Sequence, residues 1–444
     1  MSKPREIETR QDDLFRQRLS TQLNPKHPLF MLAGQINWQR LETDFACLYQ
    51  AELGYPPLPI RLMVGLTMLQ HMEGLSDEQV VLKWVENPYY QYFCGYDHFQ
   101  WGLPINPSSL TRWRNRIGEK GVEKILAATI EVAKKTGHVR EKDCTQVIAD
   151  TTVMEKAITY PTDSKLLNRA REKLVALAKK HGLVLRQSYT RVGRVAFSQS
   201  CRYGHAGQYK RMAKQVKKLK TYLGRVVRDI ERKVQEQIQP FFVDLLGKAN
   251  RLLSQTKDTP NKLYSLHAPE VECLAKGKAH KRYEFGCKVS LVVTHKQGLV
   301  LSSQALPGNP YDGHTLKAAL SHAELMSGVK IERSSVDKGY RKHGVEDSQV
   351  IMSGQKGLSR SLKRALKRRN AIEPHIGHMK SEGKLGRNFL KGQIGDILNA
   401  LLVAVGHNLR LILNYLRKVF AFLQMVLLVL DHRSHNILTH HPAY

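Results

Sequence analysis

YEFGCKVSLVV, Tyr283 to Val293, decides the fold. Tyr283, Phe285, Cys287, Val289, Leu291 and Val293 alternate with Glu284, Gly286, Lys288 and Ser290, and the alternation breaks only at Val292. Successive side chains of a strand point to opposite faces, so this period predicts a strand with one buried face. Lys296–Gln297–Gly298 predicts a reversal into a second strand, Leu299–Ala305, which Pro307–Gly308–Asn309–Pro310 ends. Asp312 is expected to cap a helix running from His314 to about Met326. Two more strands, Val329–Val336 and Val350–Met352, come next, and then a basic helical segment. Upstream, Gln146–Ala149 is a short run of strand type ending at Asp150. The order strand, hairpin, helix, strand, strand, helix predicts an α/β chain built on a mixed sheet.

Between the first strand and Tyr283 the period changes. Leu166, Ala170, Leu174 and Leu177 share one helical face, and Met212, Val216, Leu219, Leu223, Val226, Ile230, Val234 and Ile238 recur at threes and fours. From Lys165 to Lys233 there are 20 Lys or Arg against 3 Asp or Glu. Residues 163–262 are therefore expected to be a basic, amphipathic helical insertion. A charge run is usually a solvated face, and a dimerisation arm would use one. Charge of one sign repels across a dimer, however, which favours contact with DNA phosphates. Tyr189, Tyr203 and Tyr209 are interleaved with the cations, and ordinary packing is their expected role.

Residues 1–56 are weakly patterned and read as a short helix or two on a partly flexible lead. A helical domain is expected over 57–135. Leu62, Met63, Leu66 and Leu69 mark one helix, and Ser76 with Gln79 makes a capping box for a second, carrying Val80, Val81, Trp84 and Val85. Ser108 is expected to cap a third, SSLTRWRNRIG, with Leu110, Trp113 and Ile117 inward and Arg112, Arg114 and Arg116 free for phosphate. Such a unit suits helix-turn-helix-like DNA binding, although a plain helical bundle with a basic face fits the pattern almost as well. Past residue 410 a C-terminal helix and tail are expected. Its apolar run, Val419–Leu430, is 12 residues long, short of the roughly 20 that span a bilayer, and reads as a buried helix.

Composition narrows the partner. The chain of 444 residues carries 70 Lys and Arg against 39 acids, a formal charge of +31. A polyanion is the economical partner, and nucleic acid fits better than a membrane because the charge is spread along the chain. The 6 cysteines form no Cys-x-x-Cys pair, so neither a disulfide framework nor a structural zinc site is expected, and a reducing cytoplasm is. MSKPREIETRQDD has no apolar signal core.

Three carboxylates carry the chemistry. Asp150 in VIADTTV and Asp337 in SSVDKGY each end a run of strand type, and Glu373 lies in RRNAIEPHIGHMK, Arg368 to Lys380. A lone Asp at a strand end is usually a turn or cap residue, and that last stretch alone reads as an exposed basic helix. Together they make the oxygen-rich donor set of two-metal phosphodiester chemistry, in which ions about 4 Å apart activate the attacking oxygen and stabilise the leaving one. Arg369, Glu373 and Lys380 are spaced to share a helix face. Pro374 disfavours helical geometry at Glu373, which predicts a kink there or a helix starting at Pro374 with Glu373 as its cap.

The spacing Arg369, three residues, Glu373, six residues, Lys380 resembles the signature of DDE transposases of bacterial insertion sequences, the insertion-sequence-five-like group. Asp337–Lys338–Gly339–Tyr340 and Asp150–Thr151–Thr152 resemble the segments around that group's second and first catalytic Asp. Where the group has a Tyr three positions before the Arg, this chain has Leu366. The resemblance runs from about Pro57 to Arg410.

It implies an RNase H-like core over 140–410, interrupted by the insertion, with an all-α N-terminal DNA-binding domain and parallel first and fourth strands. It further implies that Asp150, Asp337 and Glu373 bind two Mg²⁺, Mn²⁺ substituting. Water then cuts DNA at the element's ends, and the freed 3′-hydroxyls attack target DNA. Arg369 and Lys380 would neutralise phosphate or position the transposon end, and Lys338 and Tyr340 stand where they could touch the backbone. The implied partners are the terminal inverted repeats, target DNA and a second copy of the chain or more, in the bacterial cytoplasm. An RNase H-fold nuclease that joins nothing, and an inactive DNA-binding relic, are the alternatives; inverted repeats flanking the gene would separate them.

Overall fold

Three short helices occupy part of the expected lead: α1 (Leu19–Gln22), α2 (Pro28–Gln35) and α3 (Trp38–Ala46). They are packed: Leu19, Leu29, Leu32, Leu41 and Phe45 are buried, and burial of such a side chain stabilises by about 1.5–3 kcal/mol. The computed structural model describes residues 17–49, 58–256, 258–275 and 282–438. The rest of the lead lies outside them.

Contacts divide the chain into two units. The first holds residues up to Met154, Lys288–Leu390 and those from Ile394 on; the second holds Glu155–Cys287 with Lys391–Gln393. In the first unit, α4 (Ile60–Glu73) is buried on nearly every face, as a helix apolar all round must be. α5 (Asp77–Glu86) begins at the expected capping box of Ser76 and Gln79. After α6 (Pro88–Phe93), α7 (Ser108–Lys135) begins behind Pro107, so Ser108 is the first helical residue and not the cap. Gly118, at φ 58° and ψ −164°, breaks α7 where the predicted third helix ends; an L side chain rarely adopts that φ.

The boundary expected near residues 135–140 does not separate two bodies. Lys134 Nζ donates to Ser327 O at 2.6 Å, Asn408 Nδ2 donates to Thr129 Oγ1 at 3.1 Å, and Arg410 Nη1 donates to Met72 O at 3.0 Å. These bonds tie the N-terminal helices to elements after residue 288 within the same unit.

Past α8 (Glu141–Cys144), β1 runs over Gln146–Glu155, longer than expected, so Asp150 lies inside it. The second unit carries α9 (Asp163–Lys180), α10 (Thr190–His205), α11 (Tyr209–Lys233), α12 (Gln239–Ser254) and β2 (Glu272–Ala275). Leu166, Leu174, Leu219, Leu223, Val226 and Ile230 belong to its core, the helical period resolved into packing. Arg171 is buried among them, donating to Ser188 O and Asn168 Oδ1.

β3 (Tyr283–Thr294) and β4 (Val300–Leu306) form the expected hairpin, with a register shift between Val292 and Val293 beside the break in alternation. Next come α13 (Asp312–Ser327), β5 (Arg333–Val336) and β6 (Gln349–Met352). The sheet order is β2-β3-β1-β5-β6, with β4 also on β3. β1 and β5 pair in parallel, as do β5 and β6, and β3 and β4 pair antiparallel.

α14 (Arg360–Lys367), a 3₁₀ turn (Arg368–Ala371), α15 (Ile372–Ser381) and α16 (Gly392–Leu438) complete the fold. The first part of α16, Gly392–Phe422, is long and apolar enough to cross a membrane, but 83% of its most apolar window is buried inside the protein. It is a core helix. Within the run expected to be buried, Val419–Leu430, Phe422 is 60% and Met425 55% exposed, which corrects that expectation there; the side chains of Leu423 and of 426–430 lie outside those described.

Candidate active site

Parallel register brings two carboxylates level. Ile148 on β1 pairs with Ser335 on β5, and two residues further on each chain stand Asp150 and Asp337. Neighbouring strands lie about 4.8 Å apart, and equal steps from a paired position point side chains to one face. Asp337 occupies the N-cap position of the 3₁₀ turn Lys338–Tyr340 but makes no side-chain cap bond. Its exposed carboxylate is therefore not spent on the turn, which removes the ordinary explanation for an Asp at a strand end.

Asp150 is held from two sides. Its Oδ1 accepts from Thr151 N at 2.8 Å, and its Oδ2 lies 3.7 Å from Arg369 Nη1. A third carboxylate stands close by. Asp312, expected to cap α13, lies inside its first turn instead. Its Oδ1 accepts from Lys288 Nζ at 3.0 Å and from Thr151 Oγ1 at 3.2 Å, and Lys288 also donates to Pro310 O at 2.7 Å. Buried Tyr340 faces the group: burial first, and then the charges of Asp150, Asp312 and Asp337, hold its phenol well above the ordinary value.

Arg369 reaches the site because its segment is fixed to the β3–β4 turn. Arg368 Nε and Nη2 donate to His295 O and Lys296 O at 3.0 and 2.9 Å. Gly298, at φ 70°, lets His375 of α15 approach so closely that a Cβ there would lie 2.0 Å from its Nε2. Leu366, at the position of the group's Tyr, is half-buried.

Glu373 is exposed in the first turn of α15. Neither expectation about Pro374 holds as stated, since the helix begins at Ile372 and a 3₁₀ turn precedes it. Pro374 is the third residue of that helix, where a missing N–H removes no intrahelical bond. Among the described residues, no group of three or more His, Cys, Asp or Glu side chains is gathered as a metal site. The two strand carboxylates nevertheless have the hard oxygen chemistry that Mg²⁺ takes. The guanidinium beside Asp150 shows that a cation is already accommodated there.

The expected phosphate-binding residues fare differently. Lys338 is exposed, with its Cε against Gly354, and Lys380 is half-buried in the last turn of α15. Arg112 is exposed and donates to Ser108 Oγ, and Arg116 lies over the Tyr49 ring at 5.7 Å. Arg114 is a correction. It is 6% exposed, and its fork grips Asp77, Nη1 to Oδ1 at 2.8 Å and Nη2 to Oδ2 at 2.5 Å. No phosphate can reach it.

Lys288 gained a site role that sequence reasoning did not assign, Asp312 was read as a cap, and Tyr340, expected to touch the DNA backbone, is buried behind the carboxylates instead. The alternation put Lys288 on the open face of a half-buried strand, but β3 is buried on both faces, and a lysine there needs a partner. That partner, Asp312, lies 24 residues away.

Residues 17–116 match the model of a family described as a transposase domain, DUF772. An uncharacterized protein, ORF8 in the nfe locus of Rhizobium meliloti, is 49% identical over 198 residues, 45% of this chain and 95% of that relative. No solved structure matches.

Proposed function

This chain belongs to a transposase-related family, and we propose that it is a DNA transposase of a bacterial insertion sequence with an RNase H-like catalytic core. In this reading it cuts the element's ends by metal-dependent hydrolysis and transfers their 3′-hydroxyls to target DNA. One observation carries it: the parallel β1–β5 register that brings Asp150 level with an Asp337 carboxylate used by no cap. The sheet order, with a hairpin on one side of β1 and two parallel strands on the other, supports the fold assignment.

Asp150 and Asp337 would hold divalent cations, with Glu373 as the third ligand that the resemblance implies although it is not gathered with them in this structure. When bound, Mg²⁺ activates an oxygen nucleophile and neutralises charge on the phosphodiester. The chain's own residues do the rest. Thr151 N orients the Asp150 carboxylate, and Arg369 balances its charge and stands ready for a non-bridging phosphate oxygen. Lys288 and Asp312 hold Thr151, and through it the end of the parallel register. Lys338 would touch the DNA backbone and Lys380 would help position the transposon end. Two ends must be joined together, so a homodimer or larger assembly belongs to this reading.

The test is DNA labelled at one element end, incubated with Mg²⁺ or Mn²⁺ and a target plasmid. Wild type should cleave and join. Asp337→Ala should lose both by more than the roughly 10–100-fold that loss of an outer-sphere partner costs a metal site. Cleavage without joining would replace the reading with a nuclease, and binding with no chemistry in either protein would leave a DNA-binding relic.

A further inference from the structure

The second unit holds a cluster of like charges that the proposed chemistry does not use. Arg186, Arg225, Arg228 and Arg232 line one cavity of about 390 Å³ with Tyr189 and Asp229. The last three arginines follow one another at spacings of three and four along α11, so they share a face. All four are exposed. Like charges at these spacings repel, and the fold does little to relieve them. Asp229 is already engaged, accepting from Arg186 N at 2.7 Å and pairing with Lys233 at 3.1 Å, with Arg232 at 3.7 Å. Glu231, the other acid of α11, accepts from Asn250 on α12. Among the described residues, neither Arg225 nor Arg228 has a carboxylate at ion-pair distance.

The cluster is also built. Tyr189 stands at φ 52°, a conformation that side-chain-bearing residues rarely adopt. Its ring stacks on Tyr222 at 4.8 Å, and its hydroxyl accepts from Arg225 Nη1 at 3.3 Å while the guanidinium lies over the ring at 5.9 Å. A mobile solvated cation needs no such support. Seven steps of helix span about 10 Å, which matches roughly three phosphate-to-phosphate steps of one DNA strand at about 3.4 Å of axis each. Arginine forks suit phosphate oxygens bidentately.

We infer that Arg186, Arg225, Arg228 and Arg232 form a phosphate-tracking seat for duplex DNA, a site separate from the carboxylates. This rests on the DNA-acting reading above. The seat binds backbone and not bases, so its contribution is independent of sequence and falls with salt.

Full-length protein, in EDTA so that no chemistry occurs, would be titrated with fluorescent duplex DNA at several salt concentrations. In the variant Arg225→Gln/Arg228→Gln/Arg232→Gln, the slope of log affinity against log salt should become shallower by about 0.9 for each phosphate no longer neutralised, nearly 3 in total. Affinity at the lowest salt should fall at least about tenfold. The triple Arg→Lys variant should keep most of the slope, since charge sets it. An unchanged slope in the Gln variant, or equal losses in the Gln and Lys variants, would overturn the seat. Salt-dependent binding by a wild type that never cleaves DNA would sink the transposase reading and leave the seat standing; no DNA binding at all would sink both.

Discussion

The carboxylate site of the first unit and the α11 face of the second handle charge in opposite ways. In the first, the cations at the key positions are matched to acids: Arg114 to Asp77, Lys288 to Asp312, Arg369 to Asp150. In the second, α11 leaves Arg225 and Arg228 facing solvent while its one buried acid, Asp229, goes to Lys233 and the Arg186 backbone. Pairing fixes geometry, because a buried ion with a partner has one low-energy position. An unpaired exposed arginine stays available to a ligand. Arginine thus holds the fold where it is buried, as Arg114 and Arg171 are, and stays solvent-facing on α11.

The contrast between the units breaks first at Asp77. Asp77→Ala should destabilise the protein by about 3–5 kcal/mol, the loss expected when one partner of a buried pair is removed. Urea denaturation followed by tryptophan fluorescence measures it, and a loss below about 1 kcal/mol would mean that Arg114 is no better held than a surface cation.

A smaller effect is expected at Lys288. Lys288→Met leaves the Asp312 carboxylate with Thr151, and about 1.5–3 kcal/mol should be lost, the size of a charged hydrogen bond. If the chain cleaves DNA as proposed, cleavage should fall further than stability accounts for, since Thr151 adjoins Asp150. Equal cleavage per folded molecule would remove Lys288 from the site.

Acid should act on the Asp77–Arg114 pair. Burial raises the Asp77 pKa, but the hydrogen bonds and charge of Arg114 outweigh it and hold the carboxyl below its ordinary value. A depressed folded-state pKa contributes stability that is fully present above the unfolded value, about 4, and is lost as pH falls through the lowered one. Denaturation midpoints across that window should fall less steeply in Asp77→Asn than in wild type.

The smallest effect sharpens the contrast. Arg228→Gln in the second unit should change stability by no more than about 0.5 kcal/mol, with relief of repulsion along α11 acting in the stabilising direction. A loss of about 2 kcal/mol, in the range of a structural substitution, would show that this arginine holds the fold after all.

Much of the architecture was legible in local pattern. The capping box at Ser76 and Gln79, the alternation of Tyr283–Val293 and the three-four period of Met212–Ile230 each depend on residues within a turn or two. Their geometry follows from helix and strand periods alone. Boundaries were less legible. Val329 begins no strand because β5 starts only where β1 and β6 pair with it, at Arg333. Asp150 is not a strand terminus, since β1 continues through Thr151 and Thr152 after β5 has ended.

The sequence by itself determined the charge, the helical insertion, the hairpin and the candidacy of Asp150, Asp337 and Glu373. Tertiary structure alone decided which charges are spent. Arg112, Arg114 and Arg116 look alike in sequence, yet two residues along a helix are about 200° of rotation apart from helical period, and only Arg114 turns toward Asp77, 37 positions away. Asp150 and Asp337 become neighbours through a parallel register between strands separated by the whole insertion. Lys288 meets Asp312 only after β3 has turned through β4. A side chain's identity is local, but its desolvation and its partner depend on segments distant in the chain, and those two quantities set whether a charge is structural or functional.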